Sequence, residues 1–515
     1  MSGRATAFGA VLAGAGLLLA RVVPDVYGKP LFEDEAVAGL VGARPFGEIL
    51  VTTVWDRGGA PLHFLLVHVG FLVDASPETL RWLSVVCAVA TIFVAFDLAR
   101  RLAGPAAGGT AAFVVAASGM LGVYGSFGRM YALLALAGAV AADLFVRALV
   151  LRTPKAAALA AAGAWLLPAV HPYGGIVVAV EALVALAVWR GRPLRAAVPA
   201  AAVALAMVPF ALADLRLAQR FEISEHQTGR LATREQAWNQ LESAVRGFAG
   251  GKGLLLALFL GLALAGALVL LRRDPAFVAF AALALVAPPF LATLVRTGRA
   301  PDISPRHLIY ALPLWAALVG VAVAHVRRPF VPAAMAGACL AAAFGAAGIP
   351  DPRAITYTAA LGSDEAVAAP SAWLRREIEP GDVLYPYSSV FLAALPESGE
   401  AHGLPRAQSQ SLLAALDRVD YPAPAVFVAV PTGRTRTTAA ALPEGAHGFG
   451  SWLLIRSPGP FSSREAVLAA VVRDLSGARR ALASPVSAPL ADWFELNLEV
   501  LCESERTPGA ECVSQ

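Results

Sequence analysis

The chain has 515 residues, of which 57% are hydrophobic and only 15% charged, and its mean hydropathy is +0.64. Water-soluble enzymes, nucleic-acid readers and disordered tails need a polar majority surface, so the composition excludes them and describes an integral membrane protein. The net charge of +4 comes from arginines in small groups between apolar runs, the placement expected beside a bilayer and not on a polyanion-binding face.

In chain order, residues 6–23 form an apolar run after Met1 and Arg4, the pattern of a signal peptide or a first spanning helix. The anchor is favoured, because no small-x-small cleavage site follows and many apolar segments come later. Further spans read at 79–101, 104–124, 129–150, 155–171, 173–190, 195–213, 253–271, 276–296, 307–327 and 330–348, about eleven helices in all. Five basic groups fall in alternate short loops: Arg100 and Arg101; Arg147, Arg152 and Lys155; Arg190, Arg192 and Arg195; Arg272 and Arg273; Arg327 and Arg328. These loops and the N-terminus are therefore assigned to the cytoplasm. Residues 24–78, 214–252, 297–306 and everything after 350 are assigned outside. The apolar run at 61–73 is too short to span, and counting it would break the arginine alternation, so it reads as a helix lying at the outer interface.

The loop 24–78 carries eight acids against Lys29, Arg44 and Arg57. Within it, Glu33, Asp34 and Glu35 stand at the N-terminal end of a short predicted helix, where the helix dipole favours carboxylates. A solvated acidic N-cap is one reading. The other is chemical: one carboxylate acts as a general base, or Glu33 and Glu35 chelate a divalent cation. The loop 214–252 is of mixed charge and opens an amphipathic helix, expected to cover the site and to move. Cys87 and Cys339 lie within apolar runs and read as small buried residues. Cys502 and Cys512 near the polar C-terminus are either a bridge closing a short loop or two free thiols.

Five segments, WDRGGAPLHFLLVHVGFLV, SPETLRWLSVVCAVATIFVAFDLARRLAG, GSFGRMYALLALAG, HPYGG and SPRHLIYALPLW, in this order and spacing resemble the polytopic glycosyltransferases of the C-type fold (GT-C). They are most similar to the lipid-sugar-dependent branch that holds protein O-mannosyltransferases, the aminoarabinose transferases of lipid A and bacterial dolichyl-phosphate-mannose-type mannosyltransferases. The resemblance covers about residues 5–350. It implies an outward-facing enzyme that passes a sugar, mannose-like or a pentose, from a polyprenyl-phosphate carrier to an acceptor hydroxyl on a glycan, lipid or protein. An Asp-Glu pair in the first outer loop serves such enzymes, which makes Asp34 the implied base and Glu35 its neighbour. The acceptor hydroxyl must lose a proton as it attacks, and a single displacement inverts the anomeric carbon.

The departing phosphate needs cations, and Arg57, Arg129, Arg306 and His307 are the candidates. Glu33 and Asp56 join the substrate-contacting set. Arg129 also reads as a snorkelling residue, and Tyr131 as packing or an interfacial anchor. His171 and Tyr173, in the turn between two spans, are either a sugar or phosphate contact or ordinary turn residues. Glu181 is an intramembrane carboxyl that either functions or pairs with a neighbouring helix. His63 and His68, five apart, do not share a helical face. Two departures from the family pattern stand out. Gly59, Ala60 and Pro61 replace a basic residue with two prolines, and Phe127 replaces an acid two before Arg129, which favours a metal-independent reaction.

After Pro350 hydropathy drops and helix and strand alternate: helix 364–378, the turn and strand EPGDVLYPY, helix 407–419, strands PAVFVAV and SWLLIR, then helices 463–482 and 489–501. The expected architecture is an all-α polytopic membrane domain, residues 1–350, followed by a small extracytoplasmic α/β domain, residues 351–515, suited to acceptor recognition. A lipid-glycan transporter or flippase, a non-catalytic envelope assembly protein and a ligase of whole glycans are the competing classes. The absence of a clear internal repeat and the concentration of acids outside weigh against transport.

Overall fold

The computed structural model describes residues 3–29, 31–56, 60–188, 202, 205, 208, 209, 212, 234–249, 251, 253–294, 305–326, 331–344, 365–394, 400–404, 412–432, 442–482, 490, 491, 493–495, 497, 498 and 501. In chain order the helices are α1 (Gly3–Gly28), α2 (Glu33–Gly42), α3 (Phe46–Asp56), α4 (Leu62–Phe71), α5 (Pro77–Ala103), α6 (Pro105–Ala117), α7 (Gly119–Tyr124), α8 (Tyr131–Leu151), α9 (Pro154–Val170) and α10 (Gly174–Val188). Then come α11 (Arg234–Ala249), α12 (Leu254–Leu271), α13 (Pro275–Leu294), a 3-10 helix (Pro305–Ala311), α14 (Leu312–His325) and α15 (Val331–Phe344). The C-terminal part runs α16 (Glu365–Glu377), β1 (Val383–Tyr385), α17 (Ser389–Ala393), β2 (His402–Gly403), α18 (Leu412–Leu416), β3 (Ala423–Pro431), β4 (Ala446–Phe449), β5 (Trp452–Phe461) and α19 (Arg464–Ala481).

Five helical stretches among the described residues are long and apolar enough to cross a bilayer: Thr6–Tyr27, Pro77–Ala103, Tyr131–Leu151, Leu254–Leu271 and Pro305–His325. Five more expected spans correspond to the shorter apolar helices α6, α9, α10, α13 and α15. The eleventh, 195–213, falls almost wholly outside the described residues. The expected span 104–124 is not one helix, since it breaks at Ser118 into α6 and α7. Ser118 is extended there and accepts the Leu121 N–H, while its hydroxyl donates to Gly247 O of α11 at 3.1 Å.

The chain forms two compact units, one of residues 1–26, 81–212 and 229–350, the other of residues 27–80, 213–228 and 351–515. In the first unit several backbone breaks are closed by side chains. Arg21 of α1 donates to Ala116 O at 2.9 Å and to Ser118 O at 3.2 Å, covering the carbonyls opened by the break. Arg81, fully buried on α5, donates to Val26 O at 2.9 Å and Asp25 O at 3.3 Å, closing the last turn of α1. Pro288 within α13 cannot donate to Ala284 O, and Tyr310 Oη does so instead at 2.8 Å. Glycines permit close approach between helices: a Cβ on Gly266 would lie 1.9 Å from Leu318 O, and one on Gly320 2.4 Å from Ala107 O. At the C-terminal ends of α5 and α8, Asp97 and Asp143 join Arg100, Arg101 and Arg147 in one network, with Arg147 reaching Asp143 at 2.6 Å and Asp97 at 2.9 Å.

In the second unit a five-stranded sheet has the order β2-β1-β3-β5-β4. Strands β2, β1 and β3 are parallel, and β5 runs antiparallel to both β3 and β4. The almost unbroken apolar run of β3 fits a strand covered on both faces. Its core includes Val426, Val428 and Ile455 of the sheet with Val467, Val471 and Leu475 of α19. Sequence reading anticipated β1, β3, β5 and α19, and missed the two-residue β2 and the half-exposed β4. The helices of residues 27–80 belong to this unit. A Cβ on Gly39 of α2 would meet Leu392 of α17 at 2.2 Å, and one on Gly42 would meet Val67 of α4 at 2.4 Å. The run 61–73 is helical over Leu62–Phe71, and Leu72 and Val73 at its end are exposed.

Replacing Arg21 by Met leaves the Ala116 and Ser118 carbonyls buried without their donor. The expected result is a loss of about 2 kcal/mol of stability, read as a lowered unfolding midpoint of the purified protein in detergent.

Candidate functional site

The first unit gathers six of the residues singled out by sequence. Tyr131, the first residue of α8, has Arg306 Cζ 5.4 Å from its ring centroid and the His307 ring at 6.0 Å. His307 in turn lies 4.7 Å from His171 and 5.1 Å from Tyr173, and the last two are 4.9 Å apart. Arg129, in the turn between α7 and α8, and Arg306 both act electrostatically on His171. Three chain breaks build this cluster: the turn 125–130, the turn 171–173 and the 3-10 helix. Pro172 and the paired Gly174 and Gly175 end α9 and restart α10 at once. A Cβ on Gly174 would strike the Leu167 backbone at 2.3 Å, so only glycine lets the two helices close up there.

Tyr124 and Phe127 complete the aromatic wall. Phe127 stacks on Tyr131 at 6.1 Å with planes 20° apart, and Tyr124 lies 4.9 Å from Tyr131. Sequence reading registered Phe127 only as a lost acid and passed over Tyr124. The signal available was local composition, since Tyr124, Phe127 and Tyr131 fall within eight residues of chain.

His171 is buried, and burial, with Arg129 and Arg306 nearby, pushes its pKa down to about 3. Its Nδ1 accepts the backbone N–H of Tyr173 at 3.3 Å. A neutral ring that accepts at Nδ1 carries its proton on Nε2. His171 therefore offers a neutral N–H donor next to two permanent cations. The cluster suits an anion with several acceptor oxygens, and its aromatic walls suit the apolar or ring-shaped groups attached to that anion.

The acidic candidates lie in the second unit. Asp34 is half-buried in the first turn of α2. Glu35 is fully buried and its Oε2 accepts the Phe32 N–H at 2.9 Å. That carboxylate is the returning half of a capping arrangement, which fixes the start of α2 and the direction in which Asp34 leaves it. That bond engages one carboxylate oxygen of Glu35, and among the described residues no group of three His, Cys, Asp or Glu side chains comes together as a cation site. Glu33 opens α2 and Asp56 closes α3, but their side chains, like all of Arg57, lie outside the described residues. Cys502, Cys512 and residues 213–233 of the loop 214–252 and its lead-in also lie outside them, while the expected amphipathic helix of that loop is α11. His68 bonds Gly42 O through Nδ1 at 3.1 Å, a structural tie between α4 and α2. Glu181 is buried on the face of α10 that also buries Val177 and Val184, and its Oε1 has no hydrogen-bond partner among the described residues.

His171 is expected to stay in the neutral Nε2–H form from pH 5 to 8, titrating only near pH 3; nitrogen-15 shifts of histidine-labelled protein check this. Its lowered value adds stability that is fully present above the ordinary pKa of 6.5 and is lost as pH falls toward 3.

No family model matches the sequence, and no curated protein matches it. Among solved structures, ArnT from Cupriavidus metallidurans bound to undecaprenyl phosphate is similar at 13% identity and a TM-score of 0.55, covering 88% of this chain and 98% of that one. The apo state of the same protein is similar at 15% identity and a TM-score of 0.53, with the same coverage. These neighbours are GT-C glycosyltransferases, and the likeness shows that this chain has their fold.

Proposed function

We propose that the chain is a multi-pass glycosyltransferase of the cell membrane, N-terminus in the cytoplasm and residues 351–515 outside. It takes a sugar from a polyprenyl-phosphate carrier and attaches it to a hydroxyl of a glycan, lipid or protein acceptor at the outer face. The observation that carries this reading is the cluster of Arg129, Arg306, His171 and His307 walled by Tyr124, Phe127, Tyr131 and Tyr173. It sits in a fold shared with a protein solved with undecaprenyl phosphate. Two guanidinium groups and a neutral imidazole donor match a phosphate that gains charge on leaving.

In the proposed step the acceptor oxygen attacks the anomeric carbon while its proton passes to the Asp34 carboxylate. The bond from that carbon to the phosphate oxygen breaks, and the polyprenyl phosphate departs with the electron pair. One displacement inverts the anomeric centre. Glu35 holds the turn that presents Asp34, and Tyr131 and Tyr173 contact the donor. The sugar is a mannose-type hexose or a pentose. No step is routed through a metal.

In proteoliposomes, wild type is expected to discharge one member of a panel of labelled polyprenyl-phosphate monosaccharides. A folded Asp34→Asn protein should lose about 10²-fold or more of that rate while still binding the lipid, and Arg306→Ala should weaken lipid binding. Movement of the lipid across the bilayer with no discharge by wild type would replace this reading with that of a flippase.

A further inference from the structure

Arg129 acts from a turn and not from a helix, so its guanidinium is only as well placed as residues 125–130 are fixed. The turn is closed internally by Arg129 N–H to Phe127 O at 2.6 Å and Gly125 N–H to Leu121 O at 2.8 Å. From outside it, Ser84 of α5 donates its hydroxyl to Phe127 O at 2.6 Å and lies 3.4 Å from Arg129 O. These two carbonyls flank Gly128, whose peptide would otherwise be the loosest part of the turn. Ser84 is buried, so no solvent competes for the bond. The same face of α5 carries Arg81, which closes α1, and Ala88. A Cβ on Gly125 would lie 3.2 Å from Val22 of α1 and 3.5 Å from Ala88. The turn is thus wedged between α1 and α5, with one hydroxyl setting its backbone.

Resting on the phosphate-binding reading above, we infer that Ser84 is a positioning residue of that site. Its hydroxyl holds the carbonyls on either side of Gly128 and so aims Arg129 at the carrier phosphate without touching the ligand. A packing role alone would make Ser84→Ala loosen the bundle whatever residue stands at 129. A positioning role makes the effect of Ser84→Ala vanish once the Arg129 side chain is gone.

The test is titration of the full-length protein in nanodiscs with undecaprenyl phosphate, for wild type, Ser84→Ala, Ser84→Thr, Arg129→Ala and the Ser84→Ala/Arg129→Ala double variant, with unfolding midpoints recorded for each. Ser84→Ala is expected to weaken binding about three- to tenfold, the scale of one hydrogen bond. Arg129→Ala should weaken it about tenfold or more. The double variant should match Arg129→Ala, and Ser84→Thr, which keeps the hydroxyl, should recover to within about twofold of wild type. Equal weakening by Ser84→Ala in both backgrounds, or none where Arg129→Ala does weaken, overturns the positioning role and leaves the phosphate reading standing. Unchanged affinity in Arg129→Ala removes the phosphate reading, and this inference falls with it.

Discussion

Inside a bilayer a backbone carbonyl has no water to bond, so every interruption of a helix must be closed by another part of the protein. This constraint organises the first unit. The break at Ser118, the end of α1, the turn before α8 and the proline in α13 each expose carbonyls, and Arg21, Arg81, Ser84 and Tyr310 each bring a donor to them. Three of these four donors come from a different helix packed alongside, and the fourth comes from the 3-10 helix. The interruptions are therefore also where helices are tied together most firmly.

The interruptions are also where the chemistry gathers. A continuous helix hides its polar backbone and spreads its side chains evenly around the axis, whereas a turn or a 3-10 helix brings several side chains to one end. Arg129, His171, Tyr173, Arg306 and His307 all stand on such segments, and Tyr131 stands where α8 begins. Two arginines in close quarters repel, and the neutral form of His171 avoids adding a third charge while still presenting a donor. The aromatic rings fill the remaining space and lower the local dielectric, which strengthens the attraction of each guanidinium for an anion.

Much of this was legible in the chain. Apolar length placed the membrane helices, and the pattern of ordered short motifs named six residues that the fold brings together, although they are spread from 129 to 307. The break at Ser118 was not legible, because residues 104–124 are mostly apolar and read as one span. Only the arrival of Arg21 from another helix makes a break there tolerable. For Glu35 the sequence left a capping role and a chemical one both open, and its hydrogen bond to Phe32 N shows the capping role. The short strand β2 escaped for a similar reason, since two residues carry no periodicity and their pairing with β1 is set by tertiary contacts.

The contacts of Gly39 and Gly42 bear on how such a chain is inherited. The helix that carries Asp34 packs through these two positions on α17 and α4, and a single methyl at Gly39 would collide with Leu392. A larger residue at position 39 therefore requires a smaller or shifted one at position 392. A chimera that exchanges the C-terminal portion alone would set a foreign surface against α2. The smallest transferable block is then the whole second unit, residues 27–80, 213–228 and 351–515, three stretches far apart in the gene that behave as one module in the fold.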